Sequence, residues 1–546
     1  MNNPLEQFLH WEKTIPDNLF LRQPFNGHWK TYTYKEAGNE IRRIAAGLHG
    51  LNLSPKSHVA LLSKNCAHWI MADLAIMLCG HISIPLYATL TAPSIQQILE
   101  HADAKAIIIG KLDQYEEQQA GIPSGMVRIG IEAYGIQEEI TWEKWLAHAP
   151  TAHAYSWQPT DIFTIIYTSG TTGKAKGVMH EMNAVDATVK AAFKDLDFAL
   201  HPVLFSFLPL SHIAERIGIE MVGLYLGAQY SFSESLNSFA DNLKETQPHI
   251  FFAVPRLWAK FREKVLEKLP QKKLDTLLRL PIIGGIIKKK IRKNLGLSRA
   301  THIFSGAAPI SVEMLEWFEK LDVVILQAYG MTEDFVYGHF NRNDANKHGT
   351  VGKPLTGLSV KISSEGEIRL KSAGNLRGYY KEPELTAAAF DEEHYLRTGD
   401  LGEIDTQGFL KITGRLKDQF KTDKGKYISP APIEMQLLKN TDIEQVCVVG
   451  MGIPQPIALI VASAAGKSKS KETLYKSIAD TLNEINPGLE SYEKIEKAVL
   501  LKDDWTIENG LLTPTLKVKR NEVEKIHLPK YPLWYAQEGV VIVEIS

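Results

Sequence analysis

The N-terminal part of the chain alternates short apolar segments with amphipathic ones. Residues 34–51 carry apolar side chains at helical spacing, whereas 58–62 and 106–109 are almost wholly apolar and too short for a buried helix. Short apolar strands separated by helices are typical of parallel βαβ units, which bury both faces of a sheet. The same pattern predicts a helix at 69–78 and strands at 82–87, 162–167, 250–254, 301–305 and 323–327.

Beyond about Ser359 the pattern changes. Residues 360–362, 366–370 and 409–412 alternate apolar and polar side chains, which is typical of antiparallel strands with one exposed face. We therefore expect a β-rich subdomain to follow the parallel sheets.

From Gln445 onward the pattern predicts a small α+β unit, with strands at 446–449 and 498–501 and a helix near 474–485. Its boundary falls just after Arg415, which divides the chain into domains 1–415 and 416–546. We expect an α/β protein with a large N-terminal domain of stacked mixed and parallel sheets flanked by helices, the β-rich subdomain, and a small C-terminal α+β domain.

Composition limits the functions open to the chain. Its 546 residues suffice for about two to four domains, or for one large domain and a smaller one. The formal net charge of −2, from 61 Lys+Arg against 63 Asp+Glu, argues against nucleic acid as a partner. The 44% of hydrophobic and 23% of charged residues exclude intrinsic disorder.

The cysteines and the N-terminus indicate the compartment. Cys66, Cys79 and Cys447 lack zinc-ligand spacing and are too few for a disulfide scaffold, which is typical of a reducing compartment. The first residues lack the basic and apolar segments of a signal peptide. The longest stretch without acidic or basic residues, 74–99, contains glycine, proline and polar residues and predicts a buried helix, turn and strand. We expect a cytoplasmic protein, whose oligomeric state the sequence does not define.

The strongest chemical signal is a glycine- and hydroxyl-rich loop after the strand at 162–167. Glycines let the backbone approach a ligand, and N–H groups, hydroxyls and ammonium groups suit a polyphosphate. The loop is not a Walker A motif, because its two central glycines are three residues apart and Lys174 is followed by Ala175. An ordinary surface turn is the alternative, which the preceding strand and two lysines disfavour. The candidate ligands are Thr168, Ser169, Gly170, Thr171, Thr172, Gly173 and Lys174.

This loop closely resembles the phosphate loop of the adenylate-forming superfamily, which includes acyl-CoA synthetases, firefly luciferase and the adenylation domains of peptide synthetases. That family usually has proline at the position of Ala175, so we expect a less rigid loop that still binds nucleotide. The resemblance extends in family order roughly from Trp29 to Arg520. It implies ATP, Mg²⁺ and coenzyme A as cofactors, and a C-terminal domain that is mobile.

Two motifs resemble the segments around adenine and the metal. By resemblance, Tyr329 stacks on adenine, Thr332 contacts the α-phosphate, and Glu333 holds Mg²⁺, which prefers oxygen ligands. The nucleotide ligands that these two motifs imply are Gly306, Ala307, Ala308, Gln327, Tyr329, Gly330 and Thr332.

Later motifs resemble the ribose and catalytic segments. Asp400, in a Thr-Gly-Asp sequence, resembles the family's ribose ligand, since one carboxylate can accept hydrogen bonds from both hydroxyls. Arg415 resembles a contact to the ribose or phosphate, and Lys417 resembles the hinge. Lys517 resembles the lysine that assists adenylation, and Gly425 resembles a residue at the pantetheine channel. Each of these alone has a structural alternative, and their order along the chain favours a site.

The chain departs from the family at several positions. Gln327 stands where many relatives have asparagine, and residues 394–395 stand where Gly-Trp is common. The sequence before Lys517, Leu-Thr-Pro-Thr, replaces the Ser-Gly of luciferase and peptide synthetases and resembles long-chain acyl-CoA synthetases. Lys519 and Arg520, which follow, are expected to form a basic cluster on the surface.

The resemblance implies a reaction in two halves. A carboxylate attacks the α-phosphate of ATP to give acyl-AMP and pyrophosphate, and the thiol of coenzyme A then displaces AMP. No protein nucleophile is needed, so catalysis consists of positioning and charge stabilisation, with Lys174 and Lys517 as cations. Between the halves the C-terminal domain would rotate, moving Lys517 away and bringing Gly425 to the pantetheine channel.

Two segments resemble the acyl pocket of long-chain fatty acyl-CoA synthetases, which implies a fatty acid as the substrate. In 207–216, His212 would lie near the carboxylate, with a satisfied buried histidine as the alternative. In 254–258, Trp258 either lines the acyl region or packs in the core. Residues 281–293 place an apolar patch beside five cations, which predicts either peripheral contact with an anionic membrane or a helix with a solvated basic face.

Two C-terminal segments carry no motif. Residues 464–471 are small and polar, which predicts a mobile loop. The tail after Leu528 is expected either to add a strand or to dock on another subunit.

Other functions stay open on the sequence alone. A medium-chain or aryl acid:CoA ligase would share the nucleotide motifs, and a fatty acyl-AMP ligase would load a carrier protein in place of coenzyme A. A peptide-synthetase domain is disfavoured because no acidic anchor for an amino group is visible. A non-catalytic, membrane-associated lipid- or nucleotide-binding protein is a different class, and it would not need the complete set of Glu333, Asp400, Arg415 and Lys517.

Overall fold

The computed structural model describes residues 3–169, 175–507, 509–513 and 517–544. Within these ranges the strands form five sheets. The strands are β1 Leu19–Phe25, β2 His28–Thr33, β3 His58–Leu62, β4 Ile82–Leu86, β5 Ala106–Ile109, β6 Val127–Gly130, β7 Ile140–Thr141, β8 Ile162–Ser169, β9 Ala175–Glu181, β10 Val203–Ser206, β11 Gln229–Phe232, β12 Ile250–Ala253, β13 His302–Ser305, β14 Leu326–Tyr329, β15 His339–Phe340, β16 Lys353–Pro354, β17 Ser359–Ile362, β18 Glu367–Lys371, β19 Gly378–Tyr379, β20 Leu396–Ile404, β21 Leu410–Arg415, β22 Phe420–Lys421, β23 Tyr427–Ile428, β24 Ile443–Val449, β25 Ile457–Ala462, β26 Lys497–Leu500 and β27 Val541–Val543.

Helices connect and cover these sheets. The α-helices are α1 Pro4–Thr14, α2 Tyr34–Gly50, α3 Ala67–Leu78, α4 Ala92–His101, α5 Tyr115–Gln118, α6 Trp142–Trp145, α7 Met182–Leu196, α8 Ile213–Glu215, α9 Val222–Leu226, α10 Phe239–Thr246, α11 Pro255–Lys268, α12 Gln271–Leu278, α13 Pro281–Asn294, α14 Val312–Glu319, α15 Pro383–Ala388, α16 Pro430–Leu437, α17 Ala464–Lys467, α18 Lys471–Ile485, α19 Arg520–His527 and α20 Tyr531–Ala536. A π-helix, Arg216–Met221, lies between α8 and α9, and short 3-10 helices lie at Gln119–Gly121, Glu132–Tyr134, Leu416–Asp418, Asn486–Gly488 and Leu528–Lys530.

Two large sheets dominate the N-terminal part, as the apolar pattern predicts. One has the strand order β19-β9-β8-β4-β3-β5-β6-β7, and its strands from β8 to β7 are parallel. The other has the order β16-β15-β14-β13-β12-β10-β11-β1-β2, and its strands from β14 to β1 are parallel. Their strands are apolar because helices cover them and exclude water from both faces.

One apolar core joins the two sheets. Every residue of α3 is buried, including Trp69. The same core contains Phe163 from β8 of the first sheet and Tyr230 from β11 of the second. Burial of apolar surface at roughly 25 cal/mol per Å² is the main force that holds these layers together.

The remaining sheets are mostly antiparallel. The strands β17-β18-β20-β21 form the predicted β-rich subdomain. In the C-terminal part, β24-β25-β26-β27 form a sheet that packs on α16 and α18. Strand β27 pairs in parallel with β26 through Ala498 and Val541, so the tail adds a strand to its own sheet, one of the two outcomes predicted for it.

Two local predictions are wrong. The strand expected at 323–327 begins only at Leu326, because the backbone N–H of Val323 donates to the carbonyl of Phe318 and so ends α14. The segment expected as a mobile loop, 464–471, contains α17. Its N-terminus is capped by Ser463, whose Oγ accepts a hydrogen bond of 3.0 Å from the N–H of Gly466.

Ion pairs connect the C-terminal part to the N-terminal part. Lys439 lies 2.6 Å from Glu313, and Glu444 pairs with Arg256. Among the helices within the described ranges, none has the length and apolar character needed to cross a bilayer.

The tail gives a test of this fold. Trp534 in α20 is only 1% exposed and packs on Tyr531, whereas its neighbour Leu533 is 69% exposed. We expect Trp534→Ala to destabilise the C-terminal part by about 3–5 kcal/mol through the cavity it leaves, and to lower its calorimetric melting temperature. Leu533→Ala is the matched control and should change stability by less than about 0.5 kcal/mol. Equal melting temperatures for the two variants would contradict the packing of the tail.

Candidate active site

Asp400 lies where three elements meet. The hydroxyl of Tyr329, at the end of β14, donates to Asp400 Oδ2 at 2.7 Å. Arg415, at the end of β21, donates through Nε to Asp400 Oδ1 at 2.6 Å. Burial and the adjoining carboxylate raise the pKa of Tyr329 well above its usual value, so the phenol stays protonated and donates. The attraction of Asp400 raises the pKa of Arg415, which keeps its charge.

Lys517 belongs to the C-terminal part and lies close enough to Asp400 and Arg415 for their charges to interact, and we call the space between these three residues the cleft. Its backbone N–H donates to Thr513 Oγ1 at 3.0 Å, and its carbonyl accepts from the N–H of Thr513 at 2.8 Å, so the two residues close a loop. The side chain keeps contact with solvent. The surrounding protein and the positive charge of Arg415, only partly offset by Asp400, lower the pKa of Lys517 to about 8. The ammonium is therefore mainly protonated at neutral pH.

His212 is the residue immediately before α8. Its Nδ1 accepts a hydrogen bond of 3.2 Å from the N–H of Ala214, which leaves Nε2 as the N–H donor of a neutral ring. Burial and the nearby ammonium of Lys517 lower the pKa of His212 to about 3, so the ring is neutral at physiological pH. His212 is half-buried, and it is close enough to Lys517 for their charges to interact.

Glu333 contacts β19, the strand that pairs with β9. The hydroxyl of Tyr379 donates to Glu333 Oε1 at 3.0 Å. The ring of Tyr379 is also 5.6 Å from the ammonium of Lys176, which lies on β9 just after the loop. A single carboxylate fits Mg²⁺, which takes few protein ligands and shares the rest of its coordination with phosphates and water.

The turn that presents Thr332 and Glu333 is strained. Phe335 and Val336 have φ angles of 55° and 57°, a left-handed conformation that bulky side chains rarely adopt. Asp334 Oδ1 accepts from the N–H of Met331 at 2.9 Å and holds the turn. Burial raises the pKa of Asp334 to about 7. Sequence reasoning missed Asp334 and Tyr379, because neither belongs to a motif with a chemical signature.

The segments expected to contact adenine have polar groups that lack protein partners. The side-chain oxygens Gln327 Oε1 and Ser305 Oγ are both buried without a hydrogen-bond partner. Ala307 has a φ angle of 64°, and a Cβ on Gly330 would lie 2.8 Å from the Cα of Val336. Buried polar atoms are costly unless they are paired, so a ligand that supplies hydrogen bonds would satisfy them. Along the same segments Gly306 and Thr332 are buried, whereas Ala308 is exposed.

The phosphate loop connects β8 to β9. Thr168 pairs with Lys176, and Ser169 pairs with Ala175, so β8 and β9 are antiparallel neighbours up to the two ends of the loop. The predicted ligands Gly170, Thr171, Thr172, Gly173 and Lys174 lie outside the described residues.

Lys417, the predicted hinge, and Gly425, the residue predicted at the pantetheine channel, are both exposed. Lys417 lies in the 3-10 helix that follows Arg415. Gly425 has a φ angle of 78° and lies in the turn between β22 and β23. The exposed position of Lys417 directly after β21 is compatible with a hinge there. The hinge role of Lys417 and the channel role of Gly425 stay predictions.

The structure decides between the two alternatives for Trp258 and contradicts the surface position expected for Arg520. Trp258 is fully buried against Phe251 and Phe318, which is the core alternative and not the acyl lining. Arg520 is not part of a surface cluster, because its guanidinium pairs with Glu434 and donates to the carbonyl of Val448 at 2.6 Å. The basic motif therefore anchors the loop of Lys517 to the C-terminal sheet.

Comparisons with known proteins agree with these motifs. The family model for the AMP-binding enzyme matches residues 8–380, and that for the AMP-binding enzyme C-terminal domain matches residues 417–528. Long-chain-fatty-acid–CoA ligase 5 of Mus musculus is 30% identical over 94% of this chain and 85% of its own length. A long-chain-fatty-acid–CoA ligase of Mycobacterium bovis is 28% identical, with 94% and 93% covered. The predicted resemblance is confirmed, and so are the cofactors ATP, Mg²⁺ and coenzyme A.

Solved structures share the fold. The adenylation domain of a carboxylate reductase from Mycobacterium chelonae superposes with a TM-score of 0.82, at 23% identity over 98% of this chain and 91% of that one. An anthranilate CoA ligase in complex with anthranoyl-AMP gives a TM-score of 0.78, at 21% identity over 96% and 97%. These similarities confirm the predicted α/β fold class.

The lowered pKa of Lys517 predicts a pH dependence. If the protonated ammonium assists adenylation, kcat/KM for pyrophosphate release should fall as pH rises through about 8, because the group loses its charge there. Lys517→Arg should move this fall to higher pH, and Lys517→Ala should lower the rate by about 10²–10³-fold. Lys525→Ala, which removes an exposed lysine from α19, is the control. An alkaline limb that is unchanged in Lys517→Arg would exclude Lys517 as its source.

Proposed function

Because the chain belongs to the family of AMP-binding enzymes and is an AMP-forming acid–CoA ligase, we propose that its substrate is a long-chain fatty acid. A carboxylate oxygen of the acid attacks the α-phosphorus of ATP, and the bond to pyrophosphate breaks. The thiol of coenzyme A then attacks the acyl carbon of acyl-AMP, and AMP leaves with the bonding electrons. The observation that carries the adenylation chemistry is the proximity of Lys517 to Asp400, Arg415 and His212, whereas the chain length of the acid rests on the relatives and motifs below.

We assign nucleotide binding to the residues around Asp400. Its two carboxylate oxygens accept one hydrogen bond each from Tyr329 and Arg415, which leaves acceptor capacity for the ribose hydroxyls. The ring of Tyr329 offers a face for adenine, and Gln327 Oε1 offers an acceptor for an amino group. Thr332 and the residues 168–174 are the ligands proposed for the phosphates.

The cleft supplies the charges that the first half-reaction needs. The ammonium of Lys517 offsets negative charge on the α-phosphoryl oxygens as the pentavalent arrangement forms. The neutral ring of His212 donates from Nε2 to an oxygen of the fatty acid carboxylate and orients it. Glu333 is the proposed protein ligand of Mg²⁺, which when bound would neutralise phosphate charge.

The second half-reaction requires Lys517 to leave the cleft. We propose that residues 416–546 rotate as a domain against 1–415 about Lys417, which lies directly after the last strand of the β-rich subdomain. The rotation would bring Gly425, in its exposed turn, to the channel of the pantetheine arm. A residue without a Cβ permits close approach there.

The relatives support a long-chain acid. The two curated relatives compared above are named long-chain-fatty-acid–CoA ligases, and they are 28–30% identical to this chain. The form of the sequence before Lys517 and that of 207–216 favour the same class. Among solved structures that share the fold, the anthranilate CoA ligase acts on an aryl acid, so aryl and medium-chain acids are the competing substrates.

Substrate class is tested by AMP release with ATP and coenzyme A. We expect saturated fatty acids of long chain to give kcat/KM values at least about tenfold above short-chain acids and benzoate, since each buried methylene contributes about 0.8 kcal/mol. A higher kcat/KM for benzoate would instead indicate an aryl acid:CoA ligase, and a higher value for a medium-chain acid would indicate a medium-chain acid:CoA ligase. Pyrophosphate exchange without a CoA thioester would instead indicate a fatty acyl-AMP ligase.

We also propose that the protein works in the cytoplasm in peripheral contact with a membrane. Residues 279–293 carry six cationic side chains and no acidic one. On α13, Ile282 and Ile286 are 80% and 61% exposed, and Lys289, Lys290 and Lys293 are exposed beside them. Exposed isoleucines next to unneutralised lysines suit an anionic lipid surface, where each cation contributes about 1 kcal/mol.

Vesicle flotation tests this contact. The protein should float with phosphatidylserine-rich vesicles, much less with phosphatidylcholine alone, and less at high salt. Ile282→Ser with Ile286→Ser, and Lys289→Gln with Lys290→Gln, should each reduce the floated fraction severalfold. Lys471→Gln with Lys476→Gln on α18 removes two lysines from another helix and should have no effect. Equal recovery of all variants would refute the membrane contact.

A further inference from the structure

Asn65 binds the loop that leads to His212. It lies between β3 and α3, far from 206–212 in the sequence, and is buried. Its Nδ2 donates to Ser206 Oγ at 2.7 Å and to the carbonyl of Leu208 at 2.6 Å. Its Oδ1 accepts from the N–H of Leu210 at 3.1 Å. One side chain therefore satisfies a hydroxyl at the end of β10 and two backbone groups of the loop that follows it.

Glu215 holds the same loop from its other end. Its Oε1 accepts from Ser206 Oγ at 2.8 Å and from the N–H of Phe207 at 3.0 Å. The N–H of His212 donates to the carbonyl of Pro209 at 2.8 Å, which closes the turn immediately before the histidine. Asn65 and Glu215 are in reach of each other, with 3.5 Å between Asn65 Nδ2 and Glu215 Oε1.

A carboxamide is the side chain that suits position 65. It presents donors and an acceptor in one plane, as the carbonyl of Leu208 and the N–H of Leu210 require. Aspartate would place an acceptor against the Leu208 carbonyl and a second carboxylate beside Glu215. An apolar residue would leave both backbone groups buried and unpaired.

We propose that Asn65 is a positioning residue for the adenylation reaction, which sets His212 against the reacting carboxylate by fixing the 206–212 loop. The inference rests on the proposed function, because it takes His212 as the group that orients the acid. The contacts of Asn65 described above are all with protein groups, so the role proposed for it is indirect. A displacement of about 1 Å in a group that orients a substrate can lower a rate by about 10²-fold.

A double-mutant cycle tests this role. The variants are Asn65→Ala, Asn65→Asp, His212→Ala and the double variant Asn65→Ala with His212→Ala, each measured by single-turnover pyrophosphate release and by thioester formation from preformed acyl-AMP. We expect Asn65→Ala to slow pyrophosphate release by about 10–100-fold while the KM for ATP stays within about twofold. In the His212→Ala background the same substitution should change the rate by less than about threefold, because its effect passes through His212.

Two controls separate positioning from stability. Asn242→Ala removes a buried asparagine that accepts from the N–H of Glu234 in another loop, and it should leave adenylation unchanged. Melting temperatures show which variants fold, and Asn65→Asp provides a second variant if Asn65→Ala does not fold. If the rate of the double variant showed the product of the two single losses, Asn65 and His212 would act independently. That result would overturn the inference and leave the role of His212 intact. A wild-type rate in His212→Ala would overturn both this inference and that role.

Discussion

The carboxylate of Asp400 holds together parts of the site that are distant in sequence. It accepts from a tyrosine on one sheet and from an arginine at the end of another, and its charge partly offsets the repulsion between Arg415 and Lys517. Without that negative charge, two cations would face each other in a partly buried cleft. The position of Lys517 in the structure therefore depends on a group whose other proposed task is to hold the ribose.

A second constraint lies beneath the site, in the core between the two large sheets. Arg216, in the π-helix, donates to both oxygens of Asp73 at 2.9 and 2.8 Å, and both side chains are fully buried. Removing either partner of such a pair costs about 3–5 kcal/mol, because the other charge stays unpaired. The pair ties α3 to the π-helix that follows His212 and α8, so this segment is fixed by the same elements that build the core.

Much of this arrangement follows from the sequence, and the exceptions have physical reasons. Strands such as β3 and β5 were predictable because burial on both faces leaves a continuous apolar run. The strained turn at Phe335 and Val336 was not, since left-handed φ angles in bulky residues have no signal in composition. Arg520 looks like a surface charge until the fold brings Glu434 beside it. The candidate site residues were predictable from sequence motifs. Asn65 and Tyr379 are recognised only from the contacts that they make in the folded structure.

The ion pairs that join the C-terminal part to the N-terminal part have a further consequence. The side chains of Lys439–Glu313 and Arg256–Glu444 are 31–50% exposed, and ion pairs at the surface contribute about 0–1 kcal/mol each. These two pairs therefore add little to the stability of the observed arrangement. A nucleotide in contact with both Asp400 and Lys517 would bridge the two parts, and its binding free energy would then favour this arrangement over others.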